Sequence, residues 1–414
     1  MTEQTPDLDI VLYGATGFTG RLVAEYLAGA DIDGVSIGLA GRSPDKVRAV
    51  RDGLGPVAAE WPLIVADASD ADSLAEMAER TSVVISAVGP YAQYGLPLVQ
   101  ACASTGTHYV DLTGEVLFMN DSIASYDAMA AASGARIVHS CGFDSIPSDL
   151  GVFDLAQRVA EDGAGELTDT TLVVTKMRGG LSGGTLASGM AEMTAARKDP
   201  ERKALLRDPY SLSPDRAAEP DLGDESDPRG TFFDEQLGQW VGPFFMAGIN
   251  TRVVRRSNAL LGYAYGRTFR YQEVMGLGTG PDAAAKGAAL AAGMGGLGAM
   301  MSNDVTGKAA TAVANKALPK PGEGPDEESR RKGHFTMKIH ASTTTGAQYV
   351  ETVAAQGDPG YAATCVMLGE AALCLVRDIS RLPDVAGVLT PSVAFGSVLV
   401  ERLRQAGMTF DTSQ

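Results

Sequence analysis

Cysteine and histidine are scarce in this chain, and each contributes four of the 414 residues. The cysteines form no Cys-x-x-Cys pair, and the four histidines fall at no metal-ligand spacing on one element. Structural zinc sites use closely spaced ligands of these two types. The sequence therefore predicts no metal site, and we expect the thiols to be buried and reduced.

Basic residues are also in deficit. Lys and Arg number 34 against 51 Asp and Glu, which gives a formal charge of −17 and an isoelectric point near 4.7. So acidic a chain is poorly suited to bind nucleic acid, whose phosphates it would repel. The first ten residues lack the basic region and apolar core of a secretory signal. We therefore expect a cytoplasmic protein with no nucleic-acid partner.

The first 150 residues alternate short apolar runs with helical patterns. Six runs have the composition of buried strands: DIVLYG, VSIGLAGR, WPLIVAD, SVVISAVGP, THYVDLTGE and ARIVHSCGFD. Continuous apolar strands that alternate with helices are typical of a parallel sheet covered on both faces. The pattern predicts an α/β fold that begins with a Rossmann-type parallel sheet domain.

Three glycines follow the first of these strands in the motif YGATGFTG. One glycine allows a sharp turn, a second allows a phosphate to approach backbone N–H groups, and a third allows close packing of the helix on the sheet. The order strand, glycine loop, helix predicts a pyrophosphate at the N-terminal end of a helix that begins near Thr16. The alternative is a tight turn without a ligand. The predicted contact residues of the loop are Gly14, Thr16, Gly17, Phe18 and Gly20.

The end of the second strand, LAGRSPDK, lacks the carboxylate that binds the adenosine ribose 2′-hydroxyl in an NAD site. It carries Arg42, Ser43 and Lys46 instead. A guanidinium and a hydroxyl suit a 2′-phosphate, which a carboxylate would repel. The stretch therefore favours NADP(H) as the cofactor. In the alternative interpretation, Arg42 is a solvated surface charge and Ser43 only caps a helix.

Two further loops are expected to contact the cofactor, because ligands of parallel sheets lie across the carboxyl ends of the strands. After the third strand, Asp67 and Ala68 would lie beside the adenine. After the fourth strand, Val88, Gly89 and Pro90 would pass the ribose on the nicotinamide side.

Several long motifs resemble the saccharopine dehydrogenase-like oxidoreductases. They are YGATGFTG, LAGRS, VGPYAQYGLPLVQACASTGTHYVDLTGE, CGFDSIPSDLG, NTRVVRRSNAL, YGRTFRY and GDPGYAATCVMLGEAALCL. Within that family the chain is most similar to the mycobacterial trans-acting enoyl reductases. The resemblance implies a nucleotide domain, an α/β substrate domain, and NADPH-dependent reduction of an enoyl double bond. The substrate would be a polyketide from a synthase without its own reductase, as in phthiocerol-type lipid assembly.

The chain is divided by these patterns into two domains. We place the NADP-binding domain at residues 1–150 and an α/β (α+β) domain for substrate or oligomerisation at residues 151–357. The apolar helix pattern after residue 357 predicts that helices of residues 358–414 pack back on the first domain.

Three stretches of the second half could contact a substrate or a partner. Glycines and hydroxyls in Gly183–Ser188 could hold an acyl carbonyl or a phosphate, or could form a plain strand-to-helix turn. The polar segment 199–240 is expected to form a long excursion over the substrate site or a flexible flap. The glycine-rich apolar run 287–303 could line a tunnel, touch a membrane peripherally, or pack in a core or homo-oligomer interface.

Five arginines lie among aromatic residues in an otherwise acidic chain. They could receive a negatively charged partner, such as a phosphopantetheine arm or an acyl-carrier domain of a polyketide synthase. In the alternative interpretation they are solvated side chains of a helix face or sheet edge. The five are Arg252, Arg255, Arg256, Arg267 and Arg270.

Reduction of a polarised C=C bond needs a hydride donor, a group that stabilises the enolate oxygen, and a proton source. None of the twelve tyrosines has a lysine four residues later, which excludes the Tyr-Lys pair of short-chain dehydrogenases. Tyr91 and Tyr94 follow the fourth strand, and His139 and Asp144 follow the sixth, so these four are the catalytic candidates. Each has an alternative: the tyrosines pack, His139 lies in the core, and Asp144 caps a helix.

Three functions remain open from the residues. The first is an NADPH-dependent enoyl reductase that acts on an acyl thioester. The second is a saccharopine-type dehydrogenase that acts at a C–N bond and needs fixed cations for several carboxylates. The third is a non-catalytic NADP-binding protein that docks on lipid or on a synthase.

Overall fold

The computed structural model describes residues 6–179, 183–301 and 324–414. Within them the chain forms two seven-stranded sheets. Ile10 and Val138 of the first sheet belong to the same buried cluster as Leu172 and Phe335 of the second, so one apolar core joins both. The predicted two-part α/β architecture is therefore confirmed.

The first sheet is parallel throughout. Its strands are β1 (Leu8–Tyr13), β2 (Ile37–Gly41), β3 (Leu63–Val65), β4 (Thr81–Ser86), β5 (His108–Asp111), β6 (Arg136–Val138) and β13 (Gly387–Leu389). They lie in the order β3-β2-β1-β4-β5-β6-β13, which is the doubly wound order of dinucleotide-binding sheets with one added strand. Val11 and Leu12 of β1 belong to core clusters on opposite faces, as the apolar runs require.

Five helices connect the strands of this sheet: α1 (Phe18–Gly29), α2 (Pro44–Gly53), α3 (Ala71–Glu79), α4 (Tyr91–Thr105) and α5 (Val116–Ser133). All six predicted strands are present, so the predicted Rossmann-type sheet is confirmed. The seventh strand was not predicted. It is only three residues long and reaches β6 from the far end of the chain, where Val388 pairs with Ile137.

The second sheet is mixed. Its strands are β7 (Leu167–Arg178), β8 (Phe232–Asp234), β9 (Gln239–Pro243), β10 (Arg270–Gly278), β11 (His334–Thr343), β12 (Gln348–Gln356) and β14 (Thr409–Ser413). They lie in the order β14-β12-β11-β7-β10-β9-β8, in which only β7 and β10 run parallel. Every second residue of β12 is buried, which shows that one face of this sheet is turned to the core.

The remaining described helices are α6 (Ile146–Glu161), α7 (Gly183–Lys198), α8 (Pro200–Arg207), α9 (Ala247–Leu260), α10 (Ala283–Met301), α11 (Glu327–Lys332), α12 (Thr364–Arg377) and α13 (Pro391–Gln405). Helix α6 leads from the first sheet to the second. A Cβ atom on Gly151 would lie 2.7 Å from Ile339 Cδ1 and 2.9 Å from Val353 Cγ2, so this glycine lets α6 lie directly on the second sheet. The predicted boundary at residue 150 falls inside α6.

The C-terminal segment returns to the first domain, as predicted. Helix α12 packs on α1, where a Cβ atom on Gly369 would lie 2.5 Å from the ring of Tyr26. The Tyr26 hydroxyl donates to Glu370 Oε1 at 2.6 Å. The same segment also supplies β14 to the second sheet. In the described part of the chain one helical stretch, Pro359–Arg377, is long and apolar enough to cross a membrane, and most of it is buried in this core.

The glycine-rich run 287–303 lies in α10 up to residue 301, and its last two residues fall outside the described ranges. A Cβ atom on Gly287 would lie 2.3 Å from Thr231 Cγ2 and 2.5 Å from Leu277 Cδ1. The helix therefore contacts the second sheet through this glycine. Ala288 and Ala289 beside it are exposed.

Glu351 is an acidic side chain enclosed in the core of the second sheet. It is 0 % exposed, and the Thr412 hydroxyl donates to its Oε2. Its Oε1 has no hydrogen-bond partner in the described ranges. Burial, reinforced by the negative charge of Asp154, raises the pKa of Glu351 from 4.5 to about 8.

This raised pKa predicts a pH dependence of stability. Glu351 favours the folded state most below its unfolded pKa of 4.5, and this contribution is lost as the pH rises through about 8. We expect Glu351→Gln to flatten the fall in the free energy of unfolding between pH 5 and 8, measured by urea titration. Glu328→Gln, at an exposed ion pair with Lys332, is the control and should leave that fall unchanged. An equally steep fall in Glu351→Gln would contradict the assignment.

Candidate active site

The glycine loop between β1 and α1 is tightly packed at the positions where glycine leaves out a side chain. Gly14 has φ +90°, and a Cβ atom there would lie 2.7 Å from Val88 Cγ2. A Cβ atom on Gly20 would lie 2.1 Å from the Gly14 carbonyl oxygen. Helix α1 begins at Phe18, with Gly17 at its N-cap and no acidic residue in its first turn. Its N-terminal N–H groups therefore offer an anion site.

Cationic and hydroxyl side chains gather at the carboxyl end of β2. Arg42 and Lys46 are exposed, and Ser43 stands at the N-cap of α2 without a capping bond from its hydroxyl. Thr16 of the glycine loop is adjacent, since a Cβ atom on Gly41 would lie 4.0 Å from its Oγ1. Ser43 thus occupies the N-cap position, but its hydroxyl makes no capping hydrogen bond. The hydroxyl is therefore available to a ligand.

The loop after β3 meets the last residue of β1. Tyr13 accepts a hydrogen bond from the Ala68 N–H, and burial together with the Asp67 charge raises the pKa of Tyr13 to about 12. Asp67 accepts from the Ser69 N–H at 2.9 Å and from its hydroxyl at 2.7 Å, and these bonds lower the pKa of Asp67. Sequence reasoning missed Tyr13. Its place directly before the glycine loop is the signal that could have found it.

The loop after β4 is held by a buried carboxylate. Glu115 is 0 % exposed and accepts from the backbone N–H groups of Tyr91 at 2.9 Å and Ala92 at 2.7 Å. It thereby caps the N-terminal end of α4 from the loop after β5. Val88 is half-buried and lies against Gly14, and Gly89 beside it is exposed. These two predicted contact residues therefore lie at the same edge as the glycine cradle, and the adjoining bond from Gly89 to Pro90 is cis.

Helix α7 of the second half docks on this edge. Ser188 donates to Glu115 Oε1 at 2.5 Å. Glu192 accepts from the Leu117 N–H at 2.7 Å, in the first turn of α5, and burial raises the pKa of Glu192 to about 7. The stretch Gly183–Ser188 is thus the start of a helix, while the glycine-rich residues 180–182 before it lie outside the described ranges.

The two candidate tyrosines have different environments. The Tyr91 ring is 5 % exposed and packs on Phe118, and its hydroxyl donates to the Ser86 carbonyl at 2.8 Å. Burial raises the pKa of Tyr91 well above its usual value. This placement favours the packing alternative for Tyr91 over a catalytic role. Tyr94, one turn along α4, is 38 % exposed.

His139 is enclosed and fully hydrogen-bonded. Its Nδ1 lies 2.7 Å from Asp111 Oδ2, and its Nε2 lies 2.8 Å from Ser122 Oγ. The side chain is 3 % exposed. Asp111 also accepts from the N–H of Ser140, whose φ of +61° turns the chain sharply after β6. Burial and two internal partners favour the core alternative for His139 over a place in the cleft.

Asp144 is the catalytic candidate whose carboxyl is available. It is half-buried in the loop between β6 and α6, and the N-cap of α6 is Ser145, so the capping alternative for Asp144 does not hold. A Cβ atom on Gly114 would lie 3.6 Å from Asp144 Cγ and 3.2 Å from Ile249 Cδ1. Burial, together with the negative charge of Asp111, raises the pKa of Asp144 to about 7.

Buried arginines anchor the polar segment 199–240 from inside. Arg252 is 4 % exposed and donates to the Leu206 carbonyl at 2.8 Å. Arg256 is 3 % exposed and donates to the carbonyls of Leu212 at 2.8 Å and Val388 at 2.6 Å, and burial lowers its pKa to about 10. This enclosure contradicts the solvated alternative for both residues and gives no support to a docking role for them.

The other three arginines divide between core and surface. Arg255 is buried and donates to the Tyr271 carbonyl at 2.8 Å. Arg267 is exposed and donates to the Ala218 carbonyl at 3.0 Å, and Arg270 is also exposed. The five side chains thus form no continuous cationic surface. The prediction of buried thiols is confirmed for all four cysteines.

Comparison with known proteins identifies the nucleotide-binding half. Residues 10–138 match the family described as saccharopine dehydrogenase NADP binding domain. Among solved structures, apo saccharopine dehydrogenase (L-Glu forming) from Saccharomyces cerevisiae shares the fold with a TM-score of 0.54 and 13% identity, over 98% of this chain and 99% of that chain. Residues 10–138 therefore form a nicotinamide-dinucleotide-binding domain.

Curated relatives match over the full chain. A Mycobacterium tuberculosis protein is 49% identical over 421 residues, which cover 100% of this chain and 99% of that protein. Proteins named trans-acting enoyl reductase are 48% identical in Mycobacterium ulcerans and 47% identical in Mycobacterium bovis, each over 100% of both chains. The chain belongs to the trans-acting enoyl reductase family, with a nucleotide-binding domain of the saccharopine dehydrogenase type.

Proposed function

We propose that the protein is an NADPH-dependent enoyl reductase that reduces the C=C bond of an acyl thioester in lipid biosynthesis. The observation that carries the proposal is the side-chain-free cradle of Gly14 and Gly20 with Arg42 and Ser43 beside it, in a chain that belongs to this family over its whole length. In this proposal the substrate arrives on an acyl-carrier domain of a separate polyketide synthase.

The residues present fit the cofactor. The N–H groups at the start of α1 would hold the pyrophosphate, because no side chain caps them and the close contact of Gly20 with Gly14 fixes the direction of the helix. Arg42, Ser43 and Lys46 would hold the 2′-phosphate of NADPH. When bound, NADPH supplies a hydride.

A C–N dehydrogenase of the saccharopine type receives less support. A substrate with several carboxylates requires fixed cations, and Arg252 and Arg256 are enclosed and bound to backbone carbonyls. This enclosure suits a neutral enoyl thioester better than a substrate with several carboxylates.

The direct test measures the substrate class. Purified protein is mixed with NADPH and either a trans-2-enoyl thioester (crotonyl-CoA or dodecenoyl-CoA) or glutamate with an aldehyde, and loss of NADPH absorbance is followed. We expect oxidation with the thioester alone. Oxidation with the amino acid and aldehyde but not with the thioester would overturn the proposal in favour of C–N chemistry.

Arg42 should determine the preference for NADPH. A charge-assisted hydrogen bond contributes about 1.5–3 kcal/mol, so Arg42→Ala should weaken NADPH binding by about 10- to 100-fold. NADH binding should change little because NADH has no 2′-phosphate. Arg48→Ala is the control, since Arg48 lies nearby on α2 in an exposed pair with Asp45. Calorimetric titration measures both ligands, and equal weakening of NADPH and NADH by Arg42→Ala would contradict the assignment.

Gly20 should be intolerant of any side chain. Gly20→Ala places a methyl group 2.1 Å from the Gly14 carbonyl oxygen, so the cradle must open. We expect loss of dinucleotide binding together with a lower melting temperature. Gly29→Ala is the matched control on the same helix, because a Cβ atom there meets nothing within 4 Å. Unchanged NADPH affinity in Gly20→Ala would show that the loop does not hold the pyrophosphate.

A further inference from the structure

The acidic side chain Asp144 lies where the first sheet meets the second half of the chain. Its loop follows β6, so it lies at the carboxyl edge that also carries the glycine cradle. A Cβ atom on Gly114 of the neighbouring β5 loop would lie 3.6 Å from Asp144 Cγ and 3.2 Å from Ile249 Cδ1 of α9. The carboxyl therefore lies where the β5 loop of the first domain meets α9 of the second half.

The Asp144 carboxyl does not help to hold the described structure together through hydrogen bonds. It makes no hydrogen bond to a residue of the described ranges, and it is only half-buried. The other acidic groups at this edge that we have described accept hydrogen bonds from the protein: Asp67 from Ser69, Asp111 from Ser140, Glu115 from the first turn of α4, and Glu192 from the Leu117 N–H. Among these described carboxyls, Asp144 alone has both oxygens left for a bound molecule.

The surroundings of Asp144 favour its neutral form. The methyl end of Ile249 approaches from α9 and carries no charge. The titratable groups that face it are Asp111 from β5 and Tyr91 from α4, one negative and one neutral. Since no cation opposes these groups in the parts of the chain that the structure describes, the carboxyl titrates near neutral pH.

The loop that carries Asp144 is rigidly held on both sides. Before it, the Phe143 N–H donates to Thr364 Oγ1 at 3.0 Å. After it, Ser145 Oγ donates to Asn250 Oδ1 at 3.1 Å, and Asn250 Nδ2 donates to Glu273 Oε2 at 2.8 Å. Asn250, which belongs to α9, is therefore a positioning residue, because it holds the Asp144 loop in place.

We propose that Asp144 is the proton donor of the reductase, an inference that rests on the proposed function. When bound, NADPH would supply the hydride for the β-carbon of the enoyl thioester, and the C=C electron pair would move to the α-carbon and the thioester oxygen. Asp144 donates its proton to the α-carbon, which forms the second new C–H bond. The Asp144 carboxylate then takes a proton from solvent. The sum consumes one NADPH, one proton and one enoyl thioester, and yields NADP⁺ and the saturated thioester.

The first experiment compares the wild type with Asp144→Asn and Asp144→Glu, using crotonyl-CoA and NADPH. Loss of a general acid lowers kcat by about 10²- to 10⁴-fold, whereas the Kd for NADPH should stay unchanged in Asp144→Asn. In the wild type kcat should fall as the pH rises above about 7, because the donor loses its proton. This limb should vanish in Asp144→Asn, and Asp144→Glu should retain a shifted limb and part of the rate.

The second readout needs no turnover. Infrared titration of the protein without substrate follows the C=O band of protonated carboxyl groups, and Asp144→Asn should remove one group that titrates near pH 7. Glu351→Gln is the matched control. It removes a different buried carboxyl in the second sheet, so it should change the infrared titration but leave kcat and its pH profile as in the wild type.

The outcomes separate the two proposals. A wild-type protein that reduces no enoyl thioester overturns the proposed function. Turnover by the wild type with an equal rate and pH profile in Asp144→Asn overturns only the role of Asp144. An infrared titration that Asp144→Asn leaves unchanged also overturns that role, because the group would then not be protonated near neutral pH.

Discussion

The structure depends on one contact between backbones, that of the start of α1 with the end of β1. A methyl group on Gly20 would lie 2.1 Å from the Gly14 carbonyl oxygen, so helix and loop meet with no room for a side chain. The contact sets the direction of α1 and leaves its N–H groups without a side-chain cap. Val88, in the loop after β4, packs against Gly14. This contact aligns the loop after β4 with the glycine loop. The contact of Gly20 with Gly14 therefore determines both how the first domain packs and where its anion-binding N–H groups point.

Buried carboxylates join the parts of the chain that this contact does not reach. Glu115 links the starts of α4 and α7. Asp149 of α6 accepts from Ser257 of α9 at 2.5 Å and from the Ser392 N–H of α13 at 2.8 Å. Burial raises the pKa of Asp149 to about 6. An acidic chain thus uses part of its negative charge internally, as acceptors for helix N-termini and hydroxyl groups.

The local parts of the fold could be predicted from the sequence, whereas contacts between distant segments could not. Six strands and the glycine loop follow from apolar runs and spacing within about 20 residues. Strand β13 is three residues long and pairs with a segment some 250 residues away. The partners of Arg256 are likewise carbonyls of distant residues, Leu212 and Val388, which no local pattern reveals. The sequence therefore drew attention to these arginines, but it could not show that the side chain of Arg256 points inward to backbone carbonyls.

The same distinction explains why the catalytic candidates could not be ranked from sequence. His139 and Asp144 are five residues apart and follow one strand, yet the left-handed turn at Ser140 sends them to different environments. His139 turns to Asp111 and Ser122 in the core, while Asp144 emerges beside Ile249. Asp111 serves both, because it binds the histidine and its negative charge discourages ionisation of Asp144. The histidine that looked catalytic thus holds the carboxylate that keeps its neighbour protonated.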